Sequence, residues 1–62
     1  MKYYQGKFTK ICFIVDGLRY KHFRIGDKYM SEWLHIDTDF DNDHYYMEIT
    51  EIEYNNILLQ NL

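Results

Sequence analysis

The sequence predicts one α+β domain spanning residues 1–62. It is expected to be a small antiparallel sheet of three or four strands, led by an N-terminal β-hairpin, with one C-terminal helix packed on one face. Three observations carry this expectation. Asp16-Gly17 separates two runs of β-branched and aromatic residues, the signature of a two-residue hairpin turn. Thr50-Glu51-Ile52-Glu53 has the spacing of a helix capping box. A chain of 62 residues with 47% hydrophobic and 19% aromatic content is too apolar to stay disordered. It is also too short for two domains, a dinucleotide-binding unit or a barrel enzyme.

The first element is the hairpin Phe8 to Ile25. With Asp16-Gly17 as the turn, Val15 faces Leu18, Phe13 faces Tyr20 and Ile11 faces His22, and that face is apolar near the turn, as a core face should be. The opposite face carries Lys10, Arg19 and Lys21 among Phe8, Cys12, Ile14, Phe23 and Ile25, and reads as a mixed basic and aromatic surface. Gly26-Asp27 marks the next turn. Residues 28–36 fit two patterns. Tyr29, Trp33 and Ile36 make a helical stripe, whereas Trp33 to Ile36 fits a strand, and the preceding hairpin favours the strand. Residues 37–43 form an acidic connection rich in turn formers. His44 to Ile49 alternates as a strand, with Tyr45, Met47 and Ile49 on one side and Tyr46 and Glu48 on the other. The capping box then opens a helix over Glu51 to Gln60, with Glu51 and Glu53 suited to its positive N-terminus.

Composition narrows the setting. Cys12 is the one cysteine, so no internal disulfide exists, and its apolar neighbours suggest a buried hydrophobe in place of a reactive thiol. A reducing bacterial cytoplasm is the expected compartment. Neither a signal-peptide core nor an apolar run long enough to cross a membrane is present. The absence of alanine and proline, with heavy use of Ile, Tyr, Asn and Lys, gives the style of small proteins from AT-rich phages and mobile elements. A domain this small is marginally stable, and its surplus of aromatic residues is compatible with a homodimer or a partner-binding patch.

Charge is divided along the chain. Residues 1–31 hold all seven Lys and Arg and two acids, while residues 32–62 hold eight acids and no Lys or Arg, with a net charge of −3. Such asymmetry points to a charged partner. The halves could instead neutralise each other in the fold, or pair between two copies.

No constellation in the sequence supports catalysis. Ser31 is the one serine, the three glycines form no phosphate loop, and so small a chain leaves little room for a substrate cleft. The protein is expected to be a non-enzyme with no cofactor. The principal reading is an interaction protein that binds and blocks a larger host protein, of the kind that handles nucleic acid or acts in defence. Its docking surface would be Asp37, Asp39, Asp41, Asp43, Tyr45, Tyr46, Glu48, Glu51 and Glu53. Tyrosine is enriched at interfaces, and spaced carboxylates can stand in for DNA phosphates. One alternative is a nucleic-acid-binding or regulatory module using Phe8, Lys10, Arg19, Lys21, Phe23 and Arg24, cations on phosphates and rings on bases. The net negative charge weighs against it. A second alternative is a calcium loop over residues 37–48, with Asp37, Asp39, Asp41 and Glu48 at loop positions one, three, five and twelve. It departs from that pattern at position six, Asn42 where glycine belongs, and at position eight, His44 where an aliphatic residue is usual. The nearby His44 also raises a transition-metal variant of that site.

Overall fold

The structure, a computed structural model, describes residues 1–61. It is an α+β fold: a five-stranded antiparallel sheet followed by one helix. The strands are β1 (Lys2–Gly6), β2 (Ile11–Asp16), β3 (Arg19–Arg24), β4 (Leu34–His35) and β5 (Tyr46–Ile49), and the helix is α1 (Glu51–Asn61). Their order across the sheet is β4-β3-β2-β1-β5. The sequence reading lacked β1. Its Tyr3-Tyr4 pair suits a pleated surface, and β1 hydrogen-bonds on both edges, to β2 and to β5. Without it, β5 would have no strand to join.

The hairpin exists with a different register. Its two-residue loop is Gly17-Leu18, closed by Asp16 opposite Arg19, so that Val15 faces Tyr20, Phe13 faces His22 and Ile11 faces Arg24. The backbone explains the shift. A type I′ turn at Asp16-Gly17 needs positive φ at both residues, and here Gly17 alone has it, at 62°. Positive φ at the first central residue, followed by an ordinary Leu18, is the type II′ pattern. The change moves each partner by two residues, which preserves the two faces although every pair differs.

The assignment of those faces needs correction. The fully buried residues of the hairpin are Cys12, with no exposure, and Phe23, at 2%. Both belong to the face expected to be a basic surface. Helix α1 covers that face. Tyr54 is buried there with its ring 5.0 Å from Tyr3 and 5.7 Å from Phe23, and Ile49 completes the cluster. Ile57 and Leu58 follow Tyr54 on the same helical stripe and pack against it. Ile52 and Leu59 point away and are exposed.

The helix is held at both ends. At its start the Thr50 hydroxyl accepts from the Glu53 amide at 3.1 Å, and the Glu53 carboxylate accepts from the Thr50 amide at 3.0 Å, the reciprocal box expected from the sequence. At its other end the Asn61 side chain accepts from the Gly26 amide and donates to the Asp27 carbonyl. That ties the helix to the β3–β4 turn, where Gly26 sits at φ 97°. Between that turn and β4 the chain is mostly irregular. Met30 makes a single bridge to Phe23, and the Ser31 hydroxyl replaces a ladder carbonyl by accepting from the His22 amide at 2.9 Å. Residues 28–36 are therefore neither the full strand expected nor a helix, with β4 reduced to Leu34–His35. The His44 start expected for the last strand falls in a turn, and β5 begins at Tyr46.

Among the described residues no helix is long and apolar enough to cross a membrane. Replacing Phe23 by Ala removes the largest fully buried side chain. The expected cost is about 3–5 kcal/mol, a large share of the ~5–15 kcal/mol that holds a typical domain together. Urea denaturation followed by circular dichroism should find the Phe23→Ala midpoint far below that of the parent.

Candidate functional site

The acidic run folds over the sheet face opposite the helix, and one side chain pins it there. Phe40 is buried at 7% exposure amid a run of exposed carboxylates. Its ring lies 5.4 Å from Tyr4, 5.1 Å from Phe13, 5.4 Å from Tyr20 and 5.0 Å from Tyr46. Those partners stand on β1, β2, β3 and β5, so a single ring spans most of the sheet. The sheet is thus covered on both sides, by α1 on one and by residues 37–45 on the other.

With Phe40 inward, its polar neighbours turn out. Asp37, Asp39, Asp41 and Asp43 are exposed. Short local bonds shape the segment. The Asp39 carboxylate accepts from the Asp41 amide at 3.0 Å, and the Asn42 side-chain oxygen accepts from the His44 amide at 3.1 Å. The Asn42 carbonyl accepts from the amides of Tyr45 and Tyr46. The two side-chain bonds, to Asp39 and Asn42, are Asx turns, in which a short side chain stands in for backbone. Thr38 and Tyr46 share a hydroxyl–hydroxyl bond of 3.2 Å.

This geometry does not assemble the calcium loop. Asn42 would have to take a left-handed backbone at loop position six, and among the described residues none other than glycine has positive φ. Glu48 lies within β5, whereas the twelfth ligand of such a loop belongs to a helix. Among the described residues no three His, Cys, Asp or Glu side chains are grouped to hold a metal ion. The Asp39 carboxylate serves as a turn former.

The expected docking residues divide by position. Asp37, Asp39, Asp41, Asp43 and Glu48 lie on the Phe40 side, since Glu48 pairs across the sheet with Tyr4. Tyr45 is exposed at the end of the loop, and Tyr46 is half-buried under Phe40. Glu51 and Glu53 stand at the head of α1 on the other layer, and Glu53 is occupied in the cap. The field of the acids reaches the buried phenols. Burial, followed by the charges of Asp41 and Glu48, raises the pKa of Tyr4, whose hydroxyl points to Asp41 at 3.4 Å. Burial and Asp37 raise that of Tyr20 in the same way.

The basic set also divides. Phe23 lies in the core and cannot stack on a base. Arg19 sits over the Trp33 ring at 4.2 Å and pairs with Asp16 at 3.0 Å, and Lys21 lies 4.9 Å from the same ring. Phe8, Lys10 and Arg24 gather elsewhere, at the β1–β2 turn, together with Lys7. Lys7 was absent from the sequence reading, although its place one residue before Phe8 was a usable signal. The Arg19–Asp16 contact is the single salt bridge among the described residues, and it lies within the basic half. The two halves of the chain therefore do not neutralise each other through ion pairs.

No protein-family model, no curated protein and no solved structure matches the chain.

Two predictions concern these layers. Phe40→Ala should cost about 3–5 kcal/mol, as a core aromatic does, where an ordinary loop substitution costs under ~0.5 kcal/mol. Urea midpoints of the variant and the parent decide between the two. The second concerns alkali. Burial pushes the Tyr54 pKa up to about 12, above the ordinary value of 10.0, and burial raises that of Cys12 as well. A group with a raised native pKa keeps its proton in the fold after the unfolded chain has lost it. The associated stability is complete below pH 10, declines above it and is gone beyond pH 12. Urea midpoints measured at increasing alkaline pH should fall through this window, and less steeply in Tyr54→Phe.

Proposed function

We propose that the protein is a non-enzymatic interaction module that docks its acidic face on a cationic surface of a larger protein and blocks it. The observation that carries this reading is the state of the acids. None of the eight acids of residues 32–62 forms a salt bridge among the described residues. Asp37, Asp39, Asp41, Asp43 and Glu48 are exposed together on one side of the sheet. Unpaired like charges held close raise one another's energy, and a cationic partner relieves that repulsion while gaining long-range attraction. Phe40 fixes the backbone that bears them, so little ordering entropy remains to be lost on binding. Exposed Tyr45 adds an amphipathic ring at the margin.

The partner's chemistry follows from this face. Carboxylates displayed together on one face can replace the phosphates of a nucleic-acid strand, so the fitting partner is a cytoplasmic protein with a basic nucleic-acid-binding cleft. Glu51 and Glu53 fall outside the face, and Tyr46 serves it as a support.

The test is affinity capture from nuclease-treated bacterial lysate, comparing the parent with a variant carrying Asn at positions 37, 39, 41 and 43 and Gln at 48. Asparagine keeps the side-chain acceptor that the turns require, so the fold persists while the charge is removed. The parent should retain a stoichiometric protein partner that the neutralised variant loses. Equal capture by both, or capture of no stoichiometric protein by the parent, would contradict the acidic face.

A further inference from the structure

Two hollows adjoin at the end of the sheet where β1 turns into β2. The larger, about 530 Å³, is lined by Lys7, Phe8, Thr9, Lys10, Ile11 and Arg24. The smaller, about 240 Å³, shares Phe8, Thr9 and Ile11 with it and adds Phe13, Tyr45 and Tyr46 above Gly6. Together they make one groove, cationic on one flank and aromatic on the other. Phe8 stands at the junction, 74% exposed, with its ring 5.9 Å from His44, which in turn lies 4.8 Å from Tyr45.

We propose that this groove binds single-stranded nucleic acid. Lys7, Lys10 and Arg24 would neutralise successive phosphates, and Phe8 would stack on a base, with Tyr45 as the neighbouring platform. Three features favour this occupant. Among the described residues no acid lines either hollow. The three cations have no salt-bridge partner among the described residues, in contrast to Arg19. A large ring left in water beside cations is the arrangement that reads a strand without regard to sequence, since every base offers a flat face and every nucleotide a charge. A Cβ on Gly6 would run into the Thr9 hydroxyl, so a side chain there would force Thr9 to move within the groove lining.

The opposing charge is the chain's net −3, with Asp43 two residues from the groove's Tyr45 and Glu48 two residues from its Tyr46. Binding is therefore expected to be modest and sensitive to salt. Three neutralised phosphates on a single strand give a slope of log affinity against log salt of about −2. The cations and Phe8 are disjoint from the acidic docking face, which the groove meets at Tyr45 and Tyr46, so the two readings fail separately.

Fluorescence anisotropy with a labelled oligothymidine at low salt, followed by a salt titration, tests the proposal. The parent should bind, with a slope near −2. Phe8→Ala, at an exposed position that leaves the fold intact by circular dichroism, should weaken binding about tenfold or more, as loss of a base stack does. Lys10→Gln combined with Arg24→Gln should flatten the slope by about one unit or more. Arg19→Gln should leave binding unchanged. No binding at low salt, indifference to Phe8→Ala, or equal affinity for a labelled poly-glutamate peptide would each overturn the proposal, the last by assigning the groove to acidic polypeptide.

Discussion

Burial of the Phe40 ring decides what the acidic half of the chain becomes. Seven residues of almost unbroken polarity, Asp37 to Asp43, contain one large apolar side chain, and that side chain enters the sheet where rings from four strands meet. Offset and edge-on ring contacts at these distances add to the gain from area removed from water. Without the pin, a segment with this charge density would repel itself and extend into solvent. With it, the aspartates face outward from a backbone whose turns their own side chains and Asn42 help to close. The same insertion seals the second face of the sheet, so Tyr4, Phe13 and Tyr20 are covered although the helix lies on the other side.

A sheet covered on both sides accounts for how so short a chain manages many aromatic residues. The helix layer takes Tyr3, Phe23 and Tyr54, and the loop layer takes Tyr4, Phe13, Tyr20, Phe40 and Tyr46. Of the remaining four, Phe8 and Tyr45 stay exposed at one end near the cations of the β1–β2 turn, Tyr29 is exposed after the β3–β4 turn, and Trp33 is engaged by Arg19 and Lys21. Charge separation in the sequence thus becomes charge separation in space. An acidic face over Phe40 and a basic aromatic groove at the sheet end give one molecule two surfaces of opposite chemistry.

How much of this was legible follows from which interactions are local. The capping box, the helix and the alternation of Tyr46 to Ile49 depend on residues close in sequence, and each was readable. The hairpin was readable, but its register turned on whether Asp16 would accept positive φ. The two-residue run Asp16-Gly17 invited one answer, whereas Gly17-Leu18 satisfies the backbone more easily. The core face could not be chosen because both faces of the hairpin are apolar, one through Cys12, Ile14 and Phe23, the other through Phe13, Val15 and Tyr20. That ambiguity is why Phe23 was placed on a binding surface. The strand β1 depends on two distant partners and carries no turn signal of its own. Of the candidate site, the aspartates were identified correctly as exposed groups, and their resemblance to a calcium loop dissolves once Asn42 keeps an ordinary backbone. Phe40 was hidden by its setting, yet a single large ring flanked on both sides by acids is the signal that a polar segment is anchored.

The central claim is that residues 37–45 are part of the folded core and not a solvated loop. Native-state hydrogen exchange followed by NMR tests it most directly, because protection reports the free energy of opening at each amide. The amides of Asp41, Tyr45 and Tyr46, which donate within this segment, should exchange with protection close to that of Cys12 and Phe23. Exchange of those three amides at nearly unprotected rates, with the hairpin core still protected, would contradict the account.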